Sequence, residues 1–359
     1  MKDSEPLHYF QWHITHTCNL RCTHCYQEDY CLHTPDEELF RILDMYSEFI
    51  AGKKLKPQIN LTGGEPLMHP AFFKLASEIK KRGIRLGILT NGTLIDDKAA
   101  AEIASLHPVF VQISIDGTRE IHDKIRGNGS FDKAVAGIDS LKKYGVKVLV
   151  SFTAQKKNYE CFEELAKICF AHKVDKLWWD RVVTDSKKTT AGLALTADQF
   201  KELVLTAQHL HKKYRRFVLE TTVRDGGTVL INGEAHRSYK KSYRMKWKSM
   251  VSTSRALQAE KCTGNDCYTC SAGGNLIVVL ANGDVMPCRR LPFVIGNVKE
   301  NSLSEIINGS RLMRDLSLPR FPDGCNGCKR FEFCRGGARC VTYGQTGKLN
   351  AKDVNCFYY

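Results

Sequence analysis

Cys18-Asn19-Leu20-Arg21-Cys22-Thr23-His24-Cys25 stands directly after the strand-like run Tyr9-Phe10-Gln11-Trp12-His13-Ile14-Thr15. Three thiols spaced CxxxCxxC at the end of a strand decide how the rest of the chain is read. A tight loop can set three thiolates on three corners of a [4Fe–4S] cube, leaving the fourth iron without a protein ligand. An open iron can bind a small molecule and pass it an electron. The same spacing also permits a zinc knot, with His24 as fourth ligand, or three unrelated thiols.

Working outward, strand-like and helix-like segments alternate. Helical periodicity over Asp36–Ala51 follows the entry signal Thr34-Pro35. Then come a strand at 58–61, a helix at 70–81 closed by Gly83, a strand at 84–89 and a helix at 96–105. A strand at 109–115, a helix at 131–144, a strand at 146–152, a helix at 159–171 and a sixth strand from Lys176 complete the run. Repeated β–α units with apolar strands imply a parallel sheet covered by helices. Six units suit an α/β fold of the partial (β/α)6 TIM-like barrel type, with a doubly wound open sheet as the competitor. The distinctive residues all follow strand ends: Cys18–Cys25, then Thr62-Gly63-Gly64-Glu65-Pro66, Thr90-Asn91-Gly92, Ser114-Ile115-Asp116-Gly117 and Asp180-Arg181. In parallel α/β folds that edge carries the active site.

Composition sets bounds on the rest. The chain has 359 residues, 43% hydrophobic and 26% charged, which are globular values. It lacks any apolar run of the ~20 residues that a membrane span needs, and its start has no signal-peptide stretch. The expectation is a cytoplasmic protein in a reducing compartment, where fifteen cysteines are not read as disulfides. Three cysteines lie at 18–25 and nine between 262 and 356. Cys31, Cys161 and Cys169 read as ordinary core or surface thiols. The net charge of +14 favours acidic partners. Part of it is local: His236–Lys248 reads HRSYKKSYRMKWK, with Tyr239, Tyr243 and Trp247 on one helical face. That pattern can bind RNA, but a surface helix docking its aromatic stripe on its own protein is preferred, so nucleic acid is not an expected partner.

CxxxCxxC followed by GGEP after a second strand resembles the radical S-adenosylmethionine (SAM) enzymes. The resemblance implies that Cys18, Cys22 and Cys25 hold the SAM-binding cluster and that Gly63, Gly64 and Glu65 meet the methionine amino group. It implies further that Arg126 pairs with the SAM carboxylate, Ser114 binds ribose hydroxyls, His24 lies near the adenine and Asn91 lies close by, its turn role coming first. No Gly-Lys-Ser/Thr, HExxH or GxSxG occurs, so phosphotransferase and hydrolase chemistry have no support.

From Lys261 the composition turns to Cys, Gly and Asn. Cys270-x12-Gly283-x4-Cys288, Cys325-x2-Cys328-x5-Cys334, Cys340 and Cys356 resemble the SPASM extension of radical SAM enzymes, as do Asn282–Cys288 and Cys334-Arg335-Gly336-Gly337. That extension implies two auxiliary [4Fe–4S] clusters, making three in all with SAM as cosubstrate. One set would be Cys270, Cys288, Cys340 and either Cys262 or Cys267; the other would be Cys325, Cys328, Cys334 and Cys356. The chain departs from the usual spacing at Ala338, where a cysteine normally stands. Two zinc sites are the alternative that spacing alone permits. The expected organisation is a barrel over residues 1–190, a helical and basic connection over 191–255, and a small loop-rich domain over 256–359 held by metal rather than by its own core.

The activity implied is reductive cleavage of SAM and hydrogen abstraction from a ribosomally made peptide, with oxidation or crosslinking. The partners would be that peptide, a low-potential donor such as flavodoxin or ferredoxin, and a separate leader-binding protein if the barrel does not read the leader itself. Alternatives are a sulfatase-type maturase, disfavoured by Arg289 where an acid commonly follows Cys288, a haem or redox-cofactor enzyme, and a non-catalytic iron–sulfur carrier or RNA-binding module. Asp116, Asp180 and Arg289 are candidates to touch the substrate.

Overall fold

The structure is a computed structural model that describes residues 5–184, 189–214, 218–221, 270–318, 321–328 and 336–357. Cys262, Cys267, Cys334 and the basic stretch His236–Lys248 lie outside the described residues.

The parallel row is built from β1 (Leu7–His13), β2 (Lys56–Thr62), β3 (Arg85–Thr90), β4 (Phe110–Ser114), β5 (Val148–Ala154) and β6 (Lys176–Arg181), each paired to the next. The short β7 (Val218–Thr221) extends it beside β6. Helices α1 (Asp36–Ile50), α2 (Phe72–Lys81), α3 (Asp97–Ser105), α4 (Arg119–Arg126), α5 (Ser130–Lys143) and α6 (Phe162–Ala171) fill the crossovers, and α7 (Ala197–Lys213) follows. This is the partial barrel read from the β–α rhythm. Local chemistry agrees with it: Asp36, Glu37 and Glu38 crowd the first turn of α1, where the helix dipole favours anions. Thr196 and Gln199 form a capping box that opens α7.

The strands alternate faces with period two. Outward residues such as Phe10, Trp12, Ile59, Leu61, Val111, Phe152 and Trp179 are fully buried and pack on Leu39, Ile42, Leu75, Ile103 and Leu165 of the helices. Inward residues are largely polar: Gln11, His13, Gln58, Asn60, Gln112, Ser151, Thr153 and Asp180 line an interior cavity. The barrel therefore presents polar groups to its interior and places its hydrophobic core between strands and helices. Among the described residues no helix is long and apolar enough to cross a membrane.

Two features depart from the sequence reading. Helix α4 is unexpected, because Arg-Glu-Ile-His-Asp-Lys-Ile-Arg carries only two aliphatic residues. It is nevertheless amphipathic, with His122, Ile125 and Arg126 buried, and Gly127 ends it at φ 120°. The C-terminal region is also not independent of the barrel core. β8 (Leu276–Val279) pairs in parallel with β1, and β9 (Asp284–Met286) and β10 (Gly296–Asn297) continue the same sheet antiparallel. Ile277, Val279, Val285 and Val298 join the barrel's own core, as do Leu303 and Ile306 of α8 (Leu303–Gly309). Hydrophobic burial and strand pairing hold this part, since β1 would otherwise offer an open edge. Beyond α8 lie α9 (Arg311–Ser317) and α10 (Arg339–Thr346).

At the β6 end, Arg181 is 2% exposed and donates from Nη2 to Asp353 Oδ2 at 2.8 Å and from Nη1 to Asn355 at 2.6 Å. Removing one partner of such a buried pair costs ~3–5 kcal/mol, so this contact ties the C-terminal segment to the barrel rim.

Burial holds four histidines neutral: His8, His24 and His122 are lowered to about 4, and His13 to about 3. Their unfolded value is higher, so the unfolded chain binds more protons between these limits. The stability they contribute is present above ~6.5 and is lost as pH falls through the folded values. The melting temperature is expected to drop steeply from pH 7 to pH 5. His8→Phe, at the barrel end away from the cysteines, should flatten that slope; an unchanged slope by calorimetry would refute the account.

Candidate functional site

Beside the cysteines, the loop after β1 meets the loop after β2 through backbone hydrogen bonds. Gly64 N–H donates to Thr15 O at 2.7 Å and Glu65 N–H to Thr17 O at 2.8 Å. A Cβ on Gly63 would lie 2.4 Å from Thr15 O, and one on Gly64 2.4 Å from both His16 O and Thr17 O. The glycines are thus required by the close approach of the Cys18 connection, in addition to any approach to a ligand.

Glu65 is fully buried and accepts from Thr90 Oγ1 at 2.7 Å, Asn91 N–H at 2.8 Å and Leu67 N–H at 3.2 Å. Burial raises its carboxyl to about 7 against the pull of these donors. Glu65 therefore joins the ends of β2 and β3. Asn91 accepts from Thr93 N–H at 2.9 Å and donates to Asn19 at 2.9 Å, a turn role that also reaches the cysteine loop.

Each thiol of the triplet has a donor aimed at its sulfur. Leu20 N–H lies 3.4 Å and Asn91 Nδ2 3.9 Å from Cys18 Sγ, Arg126 Nη1 lies 3.7 Å from Cys22 Sγ, and Gln27 N–H lies 3.3 Å from Cys25 Sγ. None of the described cysteines is in a disulfide. Donors to sulfur favour the thiolate and tune a cluster's potential, so these residues fit an iron–sulfur group with one corner left open. His24, the fourth ligand a zinc knot would need, turns instead to Asp116, with Nε2 3.7 Å from Oδ2. Among the described residues no three His, Cys, Asp or Glu side chains are gathered as a single metal ion requires.

Asp116, which in the sequence is equally a candidate substrate contact and an ordinary polar residue at a strand end, is the organising residue. It is fully buried, accepts from Arg126 Nε at 2.7 Å and from Thr153 N–H at 2.8 Å, and its own N–H donates to His122 Nδ1 at 3.1 Å. Burial pushes its carboxyl up, but Arg126 and His24 outweigh that and hold it below the usual range. It orients Arg126 toward Cys22 and steadies His24. The available signal was its position two residues past the end of β4.

Cys18, Cys22, Cys25, His24, Gly63, Gly64, Asn91, Ser114 and Arg126 all line one cavity of about 960 Å³, whereas Glu65 lies behind its wall. That volume is at the upper end of the ~300–1,000 Å³ usual for ligand sites. Cys270, Cys288, Arg289, Arg290 and Asp180 line the same cavity, and Arg290 forms an ion pair with Asp180. Cys270, Cys288 and Cys340 pack around Ala272, Leu291 and Leu316. Elsewhere, Cys325 and Cys328 share a turn in which Cys328 N–H donates to Cys325 O at 3.2 Å. A bridge between Asp323 and Ala351 sets that turn beside the segment leading to Cys356.

The Radical SAM superfamily profile matches residues 12–169, and the SPASM profile, an iron–sulfur cluster-binding domain, matches residues 270–329. An AdoMet-dependent heme synthase of Oleidesulfovibrio alaskensis is 27% identical over 371 residues, spanning 97% of this chain and 86% of that protein. Mycofactocin maturase MftC of Mycolicibacterium smegmatis is 25% identical over 354 residues, spanning 96% and 81%. The solved structure of SuiB from Streptococcus suis bound to S-adenosylmethionine shares the fold, with a TM-score of 0.71 at 17% identity over 99% of this chain and 78% of SuiB.

Gly64→Ala is expected to lower stability by ~1–3 kcal/mol through overpacking and to reduce the iron retained after anaerobic reconstitution. A variant with wild-type melting temperature and iron content would show that the loop contact is dispensable.

Proposed function

We propose, since this chain belongs to the radical SAM superfamily and carries a SPASM iron–sulfur domain, that it oxidatively modifies or crosslinks a ribosomally made peptide in its barrel cavity. When bound, the N-terminal cluster and SAM supply one-electron cleavage of the sulfonium to methionine and a 5′-deoxyadenosyl radical, which takes a hydrogen atom from a substrate carbon. The observation that carries the reading is that Cys18, Cys22 and Cys25 share one cavity wall with Cys270 and Cys288. A substrate there lies between the site of hydrogen abstraction and a second thiolate set able to hold an electron acceptor.

The chain's own residues do the positioning. Cys18, Cys22 and Cys25 hold the first cluster, and the donors on their sulfurs adjust its charge. Arg126, oriented by Asp116, offers its remaining N–H groups to the SAM carboxylate. Gly63, Gly64, Ser114 and Asn91 supply backbone and side-chain contacts to the rest of SAM, and His24, kept neutral by burial, faces the adenine. Cys270, Cys288 and Cys340, with Cys262 or Cys267, hold one auxiliary cluster; Cys325, Cys328, Cys334 and Cys356 hold the other. The cavity follows the barrel interior from strand starts to strand ends, a shape that suits an extended chain. A flavodoxin or ferredoxin would supply the electron, and a separate leader-binding protein could deliver the peptide. The similarity to a mycofactocin maturase supports a peptide substrate.

A second reading, oxidation of a tetrapyrrole, has in its favour the similarity to an AdoMet-dependent heme synthase over nearly the whole chain. Reduced enzyme with SAM would be given either a peptide encoded beside its gene or an iron porphyrin. Stoichiometric 5′-deoxyadenosine with a changed peptide mass supports the first reading, and turnover of the porphyrin alone refutes it.

Cys22→Ala is expected to abolish 5′-deoxyadenosine formation while the auxiliary iron remains; retained cleavage would mean the site is misplaced. Cys288→Ala should keep uncoupled cleavage and lose product, and normal product yield would remove the auxiliary cluster from the reaction. Asp116→Asn should slow cleavage ~10–100-fold, as loss of an outer-shell partner does.

A further inference from the structure

Four of the arginines that line the cavity lie toward the strand ends and the C-terminal segment: Arg126, Arg181, Arg289 and Arg290. Arg126 is neutralised by Asp116, Arg181 by Asp353 and Arg290 by Asp180. Arg289 has no carboxylate partner among the described residues. Its guanidinium lies over the Tyr26 ring, 4.4 Å from the centroid, and Nη2 reaches Tyr26 O at 3.5 Å. Its Nε is buried and meets no acceptor.

An orphaned buried donor is rare in folded proteins because it has given up water without replacement. Stacking on Tyr26 fixes the plane of the guanidinium. The Nε–H and one Nη–H then form an edge with the spacing of a carboxylate's two oxygens. The position is also functional in sequence terms: Tyr26 follows Cys25, and Arg289 follows Cys288. His13 and Tyr26 also face Arg289, and neither is a carboxylate.

We infer that Arg289 seats a carboxylate of the substrate, holding it between Cys25 and Cys288. The inference rests on the proposed radical SAM reaction and specifies its substrate class: a molecule bearing at least one carboxylate near the carbon that is attacked. SAM also carries a carboxylate, and Arg126 beside Cys22 is the residue placed for that one.

The test uses the full chain, anaerobically reconstituted and SAM-bound, titrated calorimetrically with a tetraglutamate peptide and with its uncharged tetraglutamine counterpart. Tetraglutamate is expected to bind and tetraglutamine to bind far more weakly. Arg289→Gln should weaken tetraglutamate about 30-fold or more, as loss of one partner of a desolvated charge pair does. Arg289→Lys, which keeps the charge without the two-pronged edge, should fall between. Arg85→Gln, at the opposite end of the barrel, controls for bulk charge and should change the affinity less than about threefold. Equal losses in Arg85→Gln and Arg289→Gln, or none in Arg289→Gln, would overturn the assignment. So would a matching loss of SAM affinity in Arg289→Gln, which would give the site to SAM's own carboxylate. If the wild-type enzyme makes 5′-deoxyadenosine yet shows no carboxylate-dependent binding, this inference fails and the reaction stands. If it makes none, the reaction itself fails.

Discussion

Backbone contact between the loops after β1 and β2 is the constraint on which the site depends. Gly63 and Gly64 press against the Thr15–Thr17 backbone with no space for a Cβ, and two backbone hydrogen bonds lock the contact. Glu65 extends the lock to β3 through Thr90 and Asn91. Three strand ends are thereby fixed relative to one another before any cofactor is considered. The first thiol, Cys18, leaves that junction with its direction already set, and Asn91 reaches back to it. A loop of three thiols and an exposed turn would otherwise lack the apolar burial that rigidifies most structure.

Charge buried behind the rim continues the same logic. Asp116 draws in Arg126 from α4 and lies beside the neutral His24 of the cysteine loop, so a single carboxylate orients side chains that arise a hundred residues apart. The cost of desolvating it is offset only because its oxygens are satisfied on several sides. Arg181 and Asp353 repeat the arrangement at the β6 end, and there the pair joins the barrel to the C-terminal segment. The two cysteine-bearing regions are consequently one framework. β8 completes the free edge of β1, and the two thiol sets face a common interior.

That common interior has a mixed lining. Its wall carries polar groups among apolar ones, because alternate strand residues point inward while the buried apolar ones pack on the helices. A cavity so built offers many hydrogen-bonding groups at fixed positions. Among the described residues Arg289 has no carboxylate partner, whereas Arg126, Arg181 and Arg290 are each paired.

Much of this was legible in the chain. Period-two and period-3.6 hydrophobicity set the β–α order, and α1, α5 and the first five strands lie within a few residues of their expected bounds. The CxxxCxxC and GGEP runs are legible because their chemistry is local, and the structure sets Cys18, Cys22, Cys25, Gly63 and Gly64 on one cavity. What the sequence did not disclose depends on contacts between distant segments. Helix α4 is too polar to announce itself and forms because Arg126 and His122 find Asp116. The C-terminal strands read as a separate metal-held unit, yet they pair with β1, since strand pairing is set by which edge is free and not by sequence distance. Asp116 looked like a substrate contact until its burial beneath the rim made it a positioning residue. The free edge of Arg289 likewise emerges only when the partners of every neighbouring arginine are known. The residue types and their spacing determined the chemistry available to this protein. Tertiary structure decided which charges cancel, because cancellation depends on distance and burial, and neither is written in the order of the residues.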